Sequence, residues 1–226
     1  MIDPIHLYII VPYRDRAEHL KQFVPAMHKY LGLQPHTIII VEQTPGKKFN
    51  RGKLINIGFM LASDVGGCFA LHDVDMLPLE ASYQPTPLPT HMATEAEQFD
   101  WKLPYPGYFG GVTLFPGYHF KMANGFGNEY WGWGAEDDDL RERCRLMNIP
   151  IARRRGKYTS LAHENRDQEN LGPNRARLNK FVRGQLDFHK DGLSNLNYTV
   201  VEEGPFGRDA GPPGSSADYL KWTVEI

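Results

Sequence analysis

The chain has 226 residues, 41% of them apolar, which is enough apolar mass for one sizeable core and excludes wholesale disorder. Its 25 basic and 27 acidic side chains leave a formal charge of −2, so no global basicity favours nucleic acid or an anionic membrane surface. No run of 18 apolar residues is present to span a bilayer, and the two cysteines, Cys68 and Cys144, read as free thiols rather than as a stapled scaffold. The first residues lack the basic start and apolar core of a secretion signal, from which a cytoplasmic location is expected.

The first element is Leu7 to Val11, an apolar, β-rich run ended by Pro12 and suited to a strand buried on both faces. Asp15 with Glu18 predicts a helix N-cap, and Leu20, Phe23, Val24, Met27 and Leu31 follow at helical spacing. Pro25 within that stretch predicts a kink or a split. Thr37 to Val41 reads as a second strand. Asn50 caps a helix over Lys53 to Ser63, and Cys68 to Leu71 forms a third strand running into His72-Asp-Val-Asp75. Strand and helix thus alternate over residues 5–75 as a βαβαβ unit with a mostly parallel sheet, whose ligands sit beyond the carboxyl ends of the strands. The second half is less regular. It holds a Pro-rich stretch, a strand within Tyr108 to Phe115, and helix faces at Leu140, Cys144, Met147 and at Leu178, Phe181, Val182, Leu186. Closing strands follow at Asn197 to Val201 and Leu220 to Val224, around a Gly/Pro/Ser loop over residues 204–216.

Two clusters carry chemistry. Asp73 and Asp75, at i and i+2 in extended chain, project to one side and can converge on a hard divalent cation held jointly with a diphosphate. The blander reading of such a pair is a solvated turn. Trp131-Gly-Trp-Gly-Ala-Glu-Asp-Asp-Asp139 combines aromatic plates with carboxylates, the composition of a sugar site. An acidic helix start explains the acids alone but not the glycine-flanked tryptophans. His163 is a lone histidine. No His-Glu-x-x-His, P-loop or Gly-x-Ser-x-Gly pattern occurs.

In this order the blocks resemble the β-1,4-galactosyltransferase family: Ile9 to Arg16, Phe49-Asn-Arg51 to Phe59, Asp73-Val-Asp75, Tyr105 to Val112, Asn124 to Asp139, His163 with Arg166-Asp167, and Asp191 to Tyr198. The resemblance implies a single catalytic domain over residues 1–226 with the GT-A fold, an α/β architecture whose mostly parallel central sheet carries helices on both faces. Residues 1–80 would form the nucleotide-binding half and 81–226 the acceptor-binding and catalytic half. It implies UDP-galactose as donor, Mn²⁺ (or Mg²⁺) as cofactor, and an inverting transfer to a carbohydrate acceptor such as N-acetylglucosamine. By position, Asp75 and His163 would bind the metal and Asp137 would be the general base. Pro12, Tyr13, Arg14, Arg16, Phe49, Arg51, Asp73, Val74, Trp133 and Glu136 would face the donor. Tyr108, Gly111, Asp138, Arg177, Leu178 and Phe181 would lie on the acceptor side, with Tyr108 filling the space an acetamide on the donor sugar would need.

The chain departs from the family pattern at Ser160 and Leu161, where a Met or second His stands before the liganding His, so a more water-filled metal site is expected. Cys68 has no partner cysteine near residue 85. The membrane anchor and stem of the animal enzymes have no counterpart, which reads as a bare catalytic domain. Alternatives left open are transfer of another UDP-sugar (N-acetylgalactosamine or glucose) and a non-catalytic carbohydrate-binding module.

Overall fold

The computed structural model describes residues 5–162, 168–206 and 219–226. Three strands and two helices open the chain: β1 (Leu7–Tyr13), α1 (Ala17–Leu31), β2 (His36–Gln43), α2 (Arg51–Ala62) and β3 (Cys68–His72). Short strands β4 (Met76–Ala81), β5 (Thr90–His91) and β6 (Glu95–Ala96) precede β7 (Val112–Pro116) and the short helix α3 (Gly117–Met122). Then come α4 (Glu136–Leu146), β8 (Ala152–Arg153), β9 (Gly156–Ser160), α5 (Leu171–Val182), β10 (Thr199–Phe206) and β11 (Tyr219–Glu225).

The main sheet has the order β10-β11-β2-β1-β3-β7-β5-β8. Its centre, β11 to β3, is parallel, while β7 runs antiparallel to both β3 and β5. Successive residues of β1 point to opposite faces, as a pleated strand requires. Leu7, Ile9 and Val11 join Phe23, Val24, Met27 and Leu31 of α1 on one side. Ile10 joins Leu54, Ile57 and Phe59 of α2 and Leu140 and Cys144 of α4 on the other. Helices therefore cover both faces, and a cleft lies at the carboxyl ends of β1 and β2, lined by Tyr13 and Glu42.

Three local expectations are corrected. α1 begins at Ala17 and Arg16 makes no side-chain cap, because Asp15 sits at φ +53°, outside the extended conformation an N-cap side chain uses. α1 also runs through Pro25 without splitting. Pro25 lies on the exposed side, where water can meet the carbonyl its missing N–H leaves unbonded. β1 continues past Pro12 to Tyr13. By then β3 no longer pairs with it, so the absent N–H costs little on that side. A second sheet, β4-β9-β6, escapes the sequence reading altogether. Both cysteines are free and buried, and burial pushes their thiols up, to about 11 for Cys68 and about 12 for Cys144. Among the described residues no helix is long and apolar enough to cross a membrane.

Candidate active site

The site is assembled around the first residue of α2. Asn50 caps that helix, its side chain accepting from the Lys53 N–H at 3.0 Å, and it is fully buried against Gln43 and Asn128. The next side chain, Arg51, is thereby aimed at the ends of β3 and α4. Its Nε donates to Asp73 Oδ1 at 2.6 Å and its Nη1 to Asp137 Oδ1 at 2.8 Å, while Glu136 Oε1 stands 3.6 Å from Nη1. One guanidinium thus joins carboxylates 64 positions apart in the chain.

The electrostatics follow from crowding acids into a poorly solvated place. Burial works against the Arg51 charge, but Asp137, Asp73 and Glu136 more than offset it and keep the guanidinium protonated. Burial, with Asp75 and Asp137 nearby, holds the Asp73 carboxyl above its ordinary range despite Arg51. Glu136 is raised in the same way, by burial and then by Asp137. Four acids against one base make a negative, oxygen-lined site.

The carboxylates of the Asp-Val-Asp turn offer the oxygen donors that a hard divalent cation takes, with phosphate oxygens able to complete its shell. Among the described residues no three His, Cys, Asp or Glu side chains converge to form a closed metal cage. His163, the second ligand the resemblance implies, lies outside the described residues, as do Arg166 and Asp167. The chain leading toward it is anchored beside the acids: β9 pairs with β4 so that Ser160 stands opposite Met76, and the Leu161 N–H donates to the Asp75 carbonyl at 2.8 Å. Ser160 is itself engaged by the turn at Glu97 and Gln98.

Around this centre the predicted residues fall into groups. Tyr13 and Arg16 line a cleft of about 600 Å³ with His19 and Glu42, and Pro12 is buried behind them. Arg14 stacks over the Phe49 ring at 5.4 Å and donates to the Lys47 carbonyl. The Val74 side chain is buried in the core on the α1 side, so only its backbone is presented outward. Gly111, at φ +76°, accepts from the Asp73 N–H at 3.1 Å and fixes that residue's backbone. Tyr108 lies beside Asp137 and Asp73, and burial first, then those acids, keeps its phenol protonated. Trp133 is half exposed between Gly132 and Gly134, both at positive φ, and its carbonyl accepts from Asn174 of α5. A large ring on a hinge of this kind can swing while its backbone stays moored.

Of the four acids opening α4, Asp138 accepts from the Tyr105 hydroxyl at 3.0 Å. Asp139 belongs to the scaffold: it is buried, accepts from Tyr130 and pairs with Arg143. Arg177 and Phe181 join the same buried cluster. Arg177 Nη2 donates to Asp191 at 2.5 Å, and Phe181 packs on Phe188 beneath Arg143. Leu178 is half-buried on α5. Arg177 and Phe181 thus contact Asp191, Phe188 and Arg143 rather than the carboxylates of Arg51. Sequence reasoning missed Gly110. A Cβ there would meet Asp137 Oδ2 at 2.5 Å and the Tyr108 hydroxyl at 2.9 Å, so only glycine leaves room for both. It also missed the Tyr105 hydroxyl, although both lie in a block that carried the family resemblance.

Comparison with known proteins agrees with this geometry. Residues 4–84 match the N-terminal region of glycosyl transferase group 7, and residues 90–164 match a domain described as the N-terminal domain of galactosyltransferase. Human β-1,4-galactosyltransferase 2 is 37% identical over 204 residues, 86% of this chain and 54% of that protein. Human β-1,4-galactosyltransferase 4 is 39% identical over 202 residues, 85% of this chain and 58% of that one. The chain therefore spans just over half the length of these curated relatives. Among solved structures, the catalytic domain of Drosophila β-1,4-galactosyltransferase 7 in complex with xylobiose superposes with a TM-score of 0.80 at 31% identity, covering 98% of this chain and 94% of that one. A mutant of the same Drosophila enzyme, in complex with manganese, UDP-Gal and xylobiose, gives 0.79. A mannosyltransferase from Pyrobaculum calidifontis, 12% identical with a TM-score of 0.55, shares the fold alone. With the order of the motifs, the GT-A architecture and these matches in agreement, the chain belongs to the β-1,4-galactosyltransferase family of glycosyl transferase group 7.

Proposed function

We propose that this protein transfers galactose from UDP-galactose to a terminal sugar hydroxyl, forming a β-1,4 bond with inversion, and that Asp137 is the general base. The observation that carries the reading is the Arg51 bridge, which holds the Asp-Val-Asp turn against the acidic start of α4. In the reaction the acceptor oxygen forms a bond to the anomeric carbon as the bond to UDP breaks. The acceptor proton passes to Asp137, and UDP departs with the bonding pair. A carboxylate so placed typically contributes about 10²–10⁴-fold to rate. Asp75 and His163 would hold Mn²⁺ (or Mg²⁺), which when bound would supply positive charge against the diphosphate leaving group. Arg14, Arg16 and Phe49 receive the nucleotide, Trp133 covers the donor sugar, and Tyr108 excludes an acetamide from it. The acceptor is an N-acetylglucosamine-class sugar. A xylose-terminated acceptor is the second reading, favoured by the near full-length likeness to an enzyme solved with xylobiose.

The test is incubation with UDP-galactose, Mn²⁺ and a panel of N-acetylglucosaminides and xylosides, read by mass and by linkage NMR, with UDP-N-acetylgalactosamine as competing donor. Asp137→Asn is expected to lower transfer by about 10²–10⁴-fold while UDP binding persists. Asp75→Ala or chelation is expected to abolish transfer. An undiminished rate in Asp137→Asn would remove the assigned base, and undiminished activity after chelation would remove the metal.

A further inference from the structure

One turn below the base, α4 changes sign. Asp137, Arg141 and Arg145 recur at four-residue spacing and form a single stripe, each step about 6 Å along the helix axis. The two arginines line a cleft of about 490 Å³, within the roughly 300–1,000 Å³ range of small-molecule sites. Arg153 lines the same cleft, and Pro106, Ile149 and Ile151 supply apolar surface. The walls are fixed to the site described above: Arg153 Nη2 donates to the carbonyls of Pro106 and Tyr108, both at 3.0 Å, and the same loop sends the Tyr105 hydroxyl to Asp138.

Ordinary structural duties explain part of this. Arg145 pairs with Glu142 on its own helix and complements the helix C-terminus, and Arg153 staples a loop. They explain Arg141 only in part: it lies over Gly107 and its charge offsets Asp138 one turn earlier, but it is exposed and, among the described residues, makes no salt bridge. Nor do they explain three guanidiniums on one concavity in a chain of net charge −2. Planar guanidinium forks over apolar surface suit a carboxylate, sulfate or phosphate ester carried on a sugar ring.

We propose that this cleft binds an anionic group on the acceptor, borne by the sugar or aglycone next to the one that receives galactose. Its place one to two helical turns from Asp137 matches a second residue of an extended acceptor whose terminal hydroxyl lies at the base. The proposal rests on the transferase reading for its link to the acceptor, but the anion site itself does not.

Two measurements separate the two. In the first, ¹⁵N-labelled protein is titrated with inorganic phosphate, with sulfate and with glucuronate, following the arginine Nε–Hε resonances. Saturable shifts that vanish in Arg141→Gln/Arg145→Gln are expected, and the strongest of the three anions identifies the chemistry. No saturable shift, or the same shift in the double variant, overturns the site. In the second, kcat/KM is compared for a neutral disaccharide acceptor and for the same acceptor bearing a carboxylate or a sulfate on its second residue. The charged acceptor is expected to be favoured by about tenfold at low ionic strength, less at high salt. The double variant is expected to lose that preference and to keep turnover of the neutral acceptor within about twofold. Equal use of both acceptors by the unaltered protein overturns the link to the acceptor. Absence of all transfer would defeat the activity reading, and the titration would still decide the cleft.

Discussion

His91 is fully buried in β5, and its Nε2–H donates to the carbonyl of Gly110 at 3.0 Å, the glycine that makes room for Asp137 and Tyr108. Burial first of all lowers its imidazole to about 4. The folded protein therefore refuses a proton that the unfolded chain accepts near pH 6.5, so unfolding takes up protons and stability falls as pH drops from 6.5 toward 4. The full effect is about 3 kcal/mol. His91→Gln keeps a donor for Gly110, and its unfolding free energy, from urea titrations across that window, is expected to fall less steeply with acid by about one bound proton. Individual side chains were otherwise unevenly legible. Asp73 and Asp75 stand out as paired acids after an apolar run, but they occupy the turn between β3 and β4, closed by the Met76 N–H on the Asp73 carbonyl, rather than the extended chain expected of them. Asp137 is singled out among its neighbouring acids only by the family motif. Arg51 could be named only through the motif around it, because what gives it meaning is the pair of acids it meets across the fold. Arg177 and Phe181, expected on the acceptor side, also contact Asp191 and Phe188, and no local pattern foretells these partners.

At the level of elements, β1, β2 and β3 were readable because each is a continuous apolar run buried on both faces. β5 and β6 have two residues each, too few to show a period, and β4 carries Pro78 and a register shift before Glu80. Of these, β4 and β6 belong to the second sheet, so two of its three strands carried no readable period. α2 packs more closely on β1 than an amphipathic pattern can reveal. Gly58 lies where a Cβ would come within 2.5 Å of Ile10 Cγ2 and 3.1 Å of Val41 Cγ2, both in the fully buried centre of the sheet. The helical gain of alanine over glycine is at most about 1 kcal/mol, and overpacking a rigid strand outweighs it. Gly58→Ala is expected to cost about 1–3 kcal/mol in urea denaturation. Because α2 also carries Arg51, a lowered affinity for UDP should accompany the loss.

Across the whole molecule, the last strand returns to the first part of the chain. β11 pairs in parallel with β2, and β10 closes the sheet edge beside it. The expected halves at residues 1–80 and 81–226 are thus woven into one sheet, which length alone does not disclose. A site built from both should feed binding energy into global stability. UDP with Mn²⁺ at about one hundred times the dissociation constant is expected to stabilise the fold by about 2.7 kcal/mol, read as a raised melting temperature. The increment due to Mn²⁺ should disappear in Asp75→Ala.

The Arg51 bridge bears on how such a chain can be divided. Its cation and Asp73 come from before residue 80, and its other two acids from α4. Severed between them, the first fragment keeps a guanidinium neutralised by one aspartate, and the second keeps Glu136 and Asp137 with no countercharge from α2. Neither piece is a smaller working protein, and a circular permutant opened elsewhere would preserve what such a cut destroys.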